Sequence, residues 1–281
     1  MFTYFNLMAM RYFLWTLLAA GGVFLATGAT AQRRSVGDVV VMPEAQVEVA
    51  LKGADYVLAG FSLISNPGSG STFGAGQLRL GYEHFWNEQW SGGATLRVLG
   101  GGNYRYGDFL GLDGNVTPGV LVRHTGTIGA FNFRQRLGLE YATTFDAVGS
   151  SNENRALTRL RLDVDRVFPL GGKVALWPRL AYEAVTYLRL QRDENQLKER
   201  VIDFGSLRAE VGVRLSPRVD FTPWVASQTH YLNTLPQYDA NGEQTGGGRT
   251  NLLTPIVGLD LRVTLLSSNA TAERRQLPTQ H

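Results

Sequence analysis

RALTRLRLDVDRVF, residues 155–168, puts Arg159, Arg161, Asp163 and Asp165 at alternate positions, with Leu160, Leu162 and Val164 between them. A period of two marks a strand, because successive side chains leave opposite faces of the backbone. One face of this ribbon is ionisable and the other aliphatic. The aliphatic face must meet either a protein core or lipid, and the rest of the chain decides which.

The same parity recurs along most of the chain. Leu78, Leu80, Tyr82 and Trp86 alternate with Gln77, Arg79, Gly81 and Glu83, and Phe131, Phe133, Leu137, Leu139 and Tyr141 with Arg134, Arg136, Gly138 and Glu140. Leu176, Leu180 and Tyr182 oppose Arg179 and Glu183; Leu207, Ala209, Val211 and Val213 oppose Arg208, Glu210 and Arg214; Leu259, Leu261 and Val263 oppose Asp260 and Arg262. About ten strands are expected, many longer than the five or six residues usual in globular sheets.

Composition narrows the chemistry. The 281 residues include no cysteine, which excludes disulfides, thiolate metal sites, a cysteine nucleophile and a lipidated cysteine. A formal charge of +3 without a basic block gives no electrostatic case for nucleic acid. At the amino terminus, Met10-Arg11 precedes the apolar run YFLWTLLAAGGVFLA and then Ala29-Thr30-Ala31, a small-x-small cleavage pattern. Residues 1–31 are therefore expected to be a cleavable signal peptide, with translation starting at Met10, and residues 32–45 a periplasmic N-terminal segment. The barrel is expected over 46–266, and a disordered periplasmic tail over 267–281.

The connections point to a membrane. Long polar loops at 65–74, 101–115, 146–154, 191–203 and 233–251 alternate with turns near Asn87-Glu88, Gly126, Leu170-Gly171-Gly172 and Ser216-Pro217. Outer-membrane barrels have this asymmetry, with short periplasmic turns and long extracellular loops. The expected fold is all-β, an antiparallel up-and-down transmembrane barrel of about ten strands, with eight or twelve the alternatives, an even number with both termini periplasmic. Residues 46–64 then form one strand, with Asp55 the exception to its parity and a hairpin the alternative.

A soluble sandwich would also alternate. Glycines at 81, 119, 138, 212 and 258 share the charged face, where a crowded lumen needs small residues beside large ones. Aromatic residues gather towards both ends of the strands: Trp86, Trp90, Phe131 and Phe221 near the turns, and Tyr141, Tyr231 and Phe61 near the loops. Pro118, Pro178, Pro223 and Pro255 fall inside strands, each expected to require a bulge.

The opening ribbon then has lipid on its aliphatic side and lumen on its charged side. Arg79, Arg97, Arg134, Arg136, Arg159, Arg161, Arg179, Arg208, Arg214 and Arg262 share that lumen with Glu83, Glu140, Asp163, Asp165, Glu183, Glu210 and Asp260. A barrel of this size is filled by side chains, so the ladder reads first as a paired polar core and second as an anion-leaning path.

FNFRQRLGLEY, NRALTRLRLDVDRVFPL, WPRLAYEAV and LRAEVGVRLSPRVDFTPWVA, spread over residues 130–230, resemble the uncharacterised outer-membrane barrels common in Bacteroidetes. There, arginine-rich strands precede a Phe-Pro-Leu turn and a Tyr-Glu strand. The resemblance implies an export route and a barrel, and it brings no activity.

Enzymatic readings centre on His230, which faces inward near the longest loop, with Asp239 further along as a candidate orienting carboxylate. Lipid A deacylases and the outer-membrane phospholipase carry a serine two residues after such a histidine; here that position is Leu232. NPGSGSTFG and TGGGRT have no following helix and read as loop tips, and Asp239, Asn241 and Glu243 only faintly suggest a calcium loop. No cofactor or metal is expected. The overall expectation is a monomer in contact with outer-membrane lipid, binding an extracellular ligand at its long loops, with a narrow anion-leaning channel second and a rim hydrolase or protease third.

Overall fold

The computed structural model describes residues 33–67, 71–100, 114–144, 154–171, 174–188, 201–242 and 244–267. The leader expected at 1–31, most of the loops expected at 101–115, 146–154 and 191–203, and the tail expected beyond Ser267 lie outside the described residues.

Thirteen strands are formed among the described residues. They are β1 (Arg33–Val36), β2 (Val40–Ala50), β3 (Tyr56–Asn66), β4 (Ser71–Phe85), β5 (Trp90–Gly100), β6 (Asn115–Ile128) and β7 (Phe131–Thr144). They continue as β8 (Arg155–Asp165), β9 (Phe168–Gly171), β10 (Val174–Leu188), β11 (Phe204–Ser216), β12 (Val219–Tyr238) and β13 (Gln244–Leu266). All but β1 and β9 make one closed wall of eleven strands. Consecutive wall strands pair antiparallel, and β13 closes on β2 in parallel. The short β9 folds back on the start of β10, and β1 runs beside β13.

The wall strands are staggered. A path of paired residues leaves Ala50 through Tyr56, Glu83, Gly93, Leu121, Gly138, Arg159, Val185, Phe204 and His230 and reaches Leu252. Because Ile256 is the partner of Val40, one circuit displaces the register by about 14 residues. With eleven strands this stagger corresponds to a tilt of about 40°, at which 9–11 residues cross a bilayer.

The odd strand number corrects the expected even one, and its cause is local. Residues 46–64 are a hairpin, with β2 and β3 joined by a five-residue turn. Gly53 adopts φ +66° there, and Asp55 anchors the turn to β4, accepting from Phe85 N at 2.9 Å and meeting His84 Nδ1 at 2.7 Å. Ala50 and Tyr56, the residues flanking the turn, both face inward, so the parity of Val47 and Val49 continues unbroken into Val57 and hides the reversal. With an odd count, the start of β2 and the end of β13 point to opposite rims, where an even count would have put them at one.

The expected bulges at the prolines are also absent. Pro118, Pro178, Pro223 and Pro255 sit opposite Leu96, Val211, Leu259 and Ser227 with no register shift. All four side chains face outward, where the ladder simply omits the proline's missing donor. Two connections move as well. The turn expected near Gly126 lies at Gly129-Ala130, where Gly129 takes φ +60°. Residues 233–238 and 244–251 form a two-stranded arm continuing β12 and β13, with Asn233 opposite Arg249 and TGGGRT inside the strand rather than at a loop tip.

The outer face is apolar. Leu78, Val120, Leu137, Leu139, Leu160, Val211 and Leu259 are exposed there in spite of their size. Trp86, Trp90 and Phe131 are exposed towards the short turns, and Phe61 and Tyr141 towards the loops. A continuous apolar band between aromatic residues is the surface of a membrane barrel, not of a soluble one.

Candidate functional site

The inward positions of the wall form three tiers. Nearest the short turns lies a hub on Glu83, whose carboxylate accepts from Tyr56 Oη and Ser91 Oγ, each at 2.5 Å, and lies 3.2 Å from Arg123 Nη1. Beside it Arg134 and Asn132 hold Asp165, and Arg262 donates to Gln46 Oε1 at 2.8 Å with Glu48 at 3.3 Å. Arg214 pairs with Asp220 at 3.3 Å and lies over the Trp177 ring.

The middle tier is a chain of shared carboxylates. Glu140 takes Arg159 at 2.8 Å and Arg97 at 3.4 Å, while Glu183 takes Arg159 at 2.5 Å and Arg136 at 2.9 Å. Arg161 sits 2.9 Å from Asp163. Arg179 meets Glu210, which Arg208 also reaches at 2.6 Å, and Arg208 extends to Asp260 at 2.8 Å. Asp260 in turn accepts from Trp224 Nε1 at 2.7 Å, with the Arg208 guanidinium over the indole.

Several of these bridges skip a strand: Arg79 on β4 to Glu44 on β2, Arg123 on β6 to Glu83 on β4, Arg97 on β5 to Glu140 on β7, and Arg136 on β7 to Glu183 on β10. Backbone hydrogen bonds tie nearest neighbours, and these four ion pairs tie next-nearest ones. The charges are deeply buried, with Glu83 at 0% exposure and Arg159 and Arg161 at 2%.

The third tier lies on the loop side of these polar residues and is apolar. Val40, Met42, Ile64, Ala75, Leu99, Trp224 and Ile256 pack together, as do Ala142, Leu157, Val185 and Phe204. All the wall strands except β6 contribute, and β6 offers Asn115 and Thr117 instead. Where the apolar tier meets the middle one there is a cavity of about 90 Å³.

Every ladder residue named from the sequence lies on this inner face, from Arg79 and Glu83 to Asp260 and Arg262. Sequence reasoning missed Glu44, because residues 32–45 were set outside the wall, and overlooked Gln46 and Glu48 within the first strand; their alternation with Ala45, Val47 and Val49 was the available signal. Arg123 and Asp220 follow from the outward parity of His124 and Phe221 and were overlooked. The apolar tier carries no such signal, since inward apolar residues erase the alternation.

His230 and Asp239 do not come together. The His230 ring stacks on Phe204 with centroids 4.3 Å apart, opposite Leu252 in the sheet. Asp239 lies nine residues further, at the tip of the arm, where its side chain accepts from Asn241 N at 2.9 Å. Nine strand residues span roughly 30 Å.

No family model matches the chain, and no curated protein does. One solved structure with which it was aligned is described as "NanC porin structure in rhombohedral crystal form", with 11% identity over 73% of this chain and 85% of that one and a TM-score of 0.38. An overlap that loose carries no argument about role, which rests on the barrel and its lumen.

Proposed function

We propose that this is an outer-membrane β-barrel of a Gram-negative envelope, closed at mid-height, whose work is binding or structural and is done by the loops on one rim. Its turns face the periplasm and its loops the outside. Loops on a rigid wall are the usual place for recognition. The observation that carries the reading is the burial of the lumen: most ladder side chains are exposed by only a few per cent, with Arg97, Glu140 and Arg214 the more open ones at 13–25%. The bilayer is the lipid partner, and the chain acts as a monomer.

The test is single-channel recording of the folded, membrane-extracted protein in a planar bilayer under a salt gradient. A silent barrel is the expected result. Discrete steps with an anion-directed reversal potential would sink the closed-barrel reading and favour a narrow anion path. One observation speaks for that second reading: the cavity is lined by six arginines, at positions 79, 97, 136, 159, 161 and 208, against two glutamates, 140 and 183.

A further inference from the structure

The lumenal cavity is lined by two chemically distinct groups of residues. One is cationic, with Arg97, Arg136 and Arg159 among its residues, and the other is apolar, made by Met42, Trp224, Ala226 and Ile256. These apolar residues belong to or pack on the apolar tier, so the cavity straddles the boundary between oil-like and charged interior.

Arg97 is the arginine least committed to the ladder here. Its one carboxylate, Glu140, lies at 3.4 Å and is shared with Arg159, which holds it at 2.8 Å. Arg97 Nε is buried and donates to no acceptor among the described residues. A buried donor left in that state costs free energy, which an incoming acceptor relieves. At 13% exposure its side chain is also more accessible than that of Arg159 at 2%.

We propose that this cavity is a binding site for a small amphiphilic anion, with a carboxylate on Arg97 and a short hydrocarbon body against Met42, Trp224 and Ile256. The size sets the class. A cavity of about 150 Å³ takes benzene, so one of about 90 Å³ takes a smaller body, a carboxylate of about three or four carbons. Longer chains would have to displace the apolar tier. The site lies in the lumen whether or not that lumen conducts, so bilayer recording tests the previous proposal and leaves this one standing.

The experiment is isothermal titration of the folded full-length barrel with sodium butyrate, with butan-1-ol and sodium acetate as comparators. Gel mobility of the unheated sample reports folding. Butyrate should bind one to one, about tenfold or more tighter than either comparator, since each lacks one of the two contacts. Arg97→Gln should weaken butyrate about tenfold or more and leave butanol unchanged, and Arg97→Lys should restore part of the loss. Glu140 keeps Arg159 in both variants, so the ladder survives. Ala226→Leu fills the apolar side and should abolish binding. Butanol binding as tightly as butyrate would overturn the anion contact, and acetate binding as tightly would overturn the apolar one. A folded barrel that takes up no butyrate at millimolar concentration would overturn the site itself.

Discussion

Replacing Glu83 with glutamine tests whether the lumen is dry. The carboxylate is fully buried, accepts from Tyr56 and Ser91, and faces Arg123, itself 2% exposed. The amide keeps the volume and one acceptor oxygen, and both hydroxyls can rotate, so the substitution removes charge and little else. Arg123 is then left as a buried cation without its facing carboxylate, and breaking a buried pair from one side costs about 3–5 kcal/mol. The same change in a hydrated channel would cost about 0–1 kcal/mol, the range of exposed ion pairs. Urea unfolding in lipid vesicles, followed by tryptophan fluorescence, separates the two. The double variant Glu83→Gln with Arg123→Met should recover most of the loss, because removing a whole buried pair is often close to neutral. A single-variant cost under about 1 kcal/mol would refute the dry plug, and with it the main support for a closed barrel.

Two further substitutions address the wall. Leu137 lies on the outer face between Phe131 and Tyr141, so Leu137→Arg should destabilise the barrel in lipid by about 2–4 kcal/mol, and an effect near zero would count against a lipid-facing surface. Ala45 and Leu261 stand opposite each other across the parallel seam and both face outward. In a chain without cysteines, the pair Ala45→Cys with Leu261→Cys should form an intramolecular disulfide under mild oxidation, seen as a shift on non-reducing gels. Failure to cross-link in the folded protein would reject the eleven-stranded closure.

The ladder was legible because parity is a local property and the inward residues that carry charge announce themselves one by one. Strand number was not, because it depends on a single turn. Residues 51–55 reverse the chain without disturbing the alternation, so Val49 and Val57 read as one face of one strand. Asp55 was the only visible break, and its purpose shows only in space, where it meets Phe85 and His84. The pairing within the ladder was equally hidden: Glu140 could have been matched with any arginine by sequence, and only the stagger of the wall brings it to Arg159 and Arg97. The arm at 233–251 was read as a loop because its glycines and polar residues lack an apolar face, which a hairpin rising past the bilayer does not need.

The seam between β2 and β13 gives the acidic row of β2 a structural reason. Parallel pairing is slightly weaker per residue than antiparallel pairing, and Pro43 in β2 brings no amide donor to it. The side chains inside compensate. Gln46 and Glu48 take Arg262 from β13, and Glu44 takes Arg79 from β4, so β2 is held by side chains from both directions. On its far side β13 is tied to β11 through Asp260 and Arg208. The polar core therefore does more than fill space: it staples the one parallel junction of the wall to its second neighbours. A lumen emptied of these charges to admit water would loosen the barrel where its backbone pairing is weakest, which is a physical reason for a wall of this topology to stay closed.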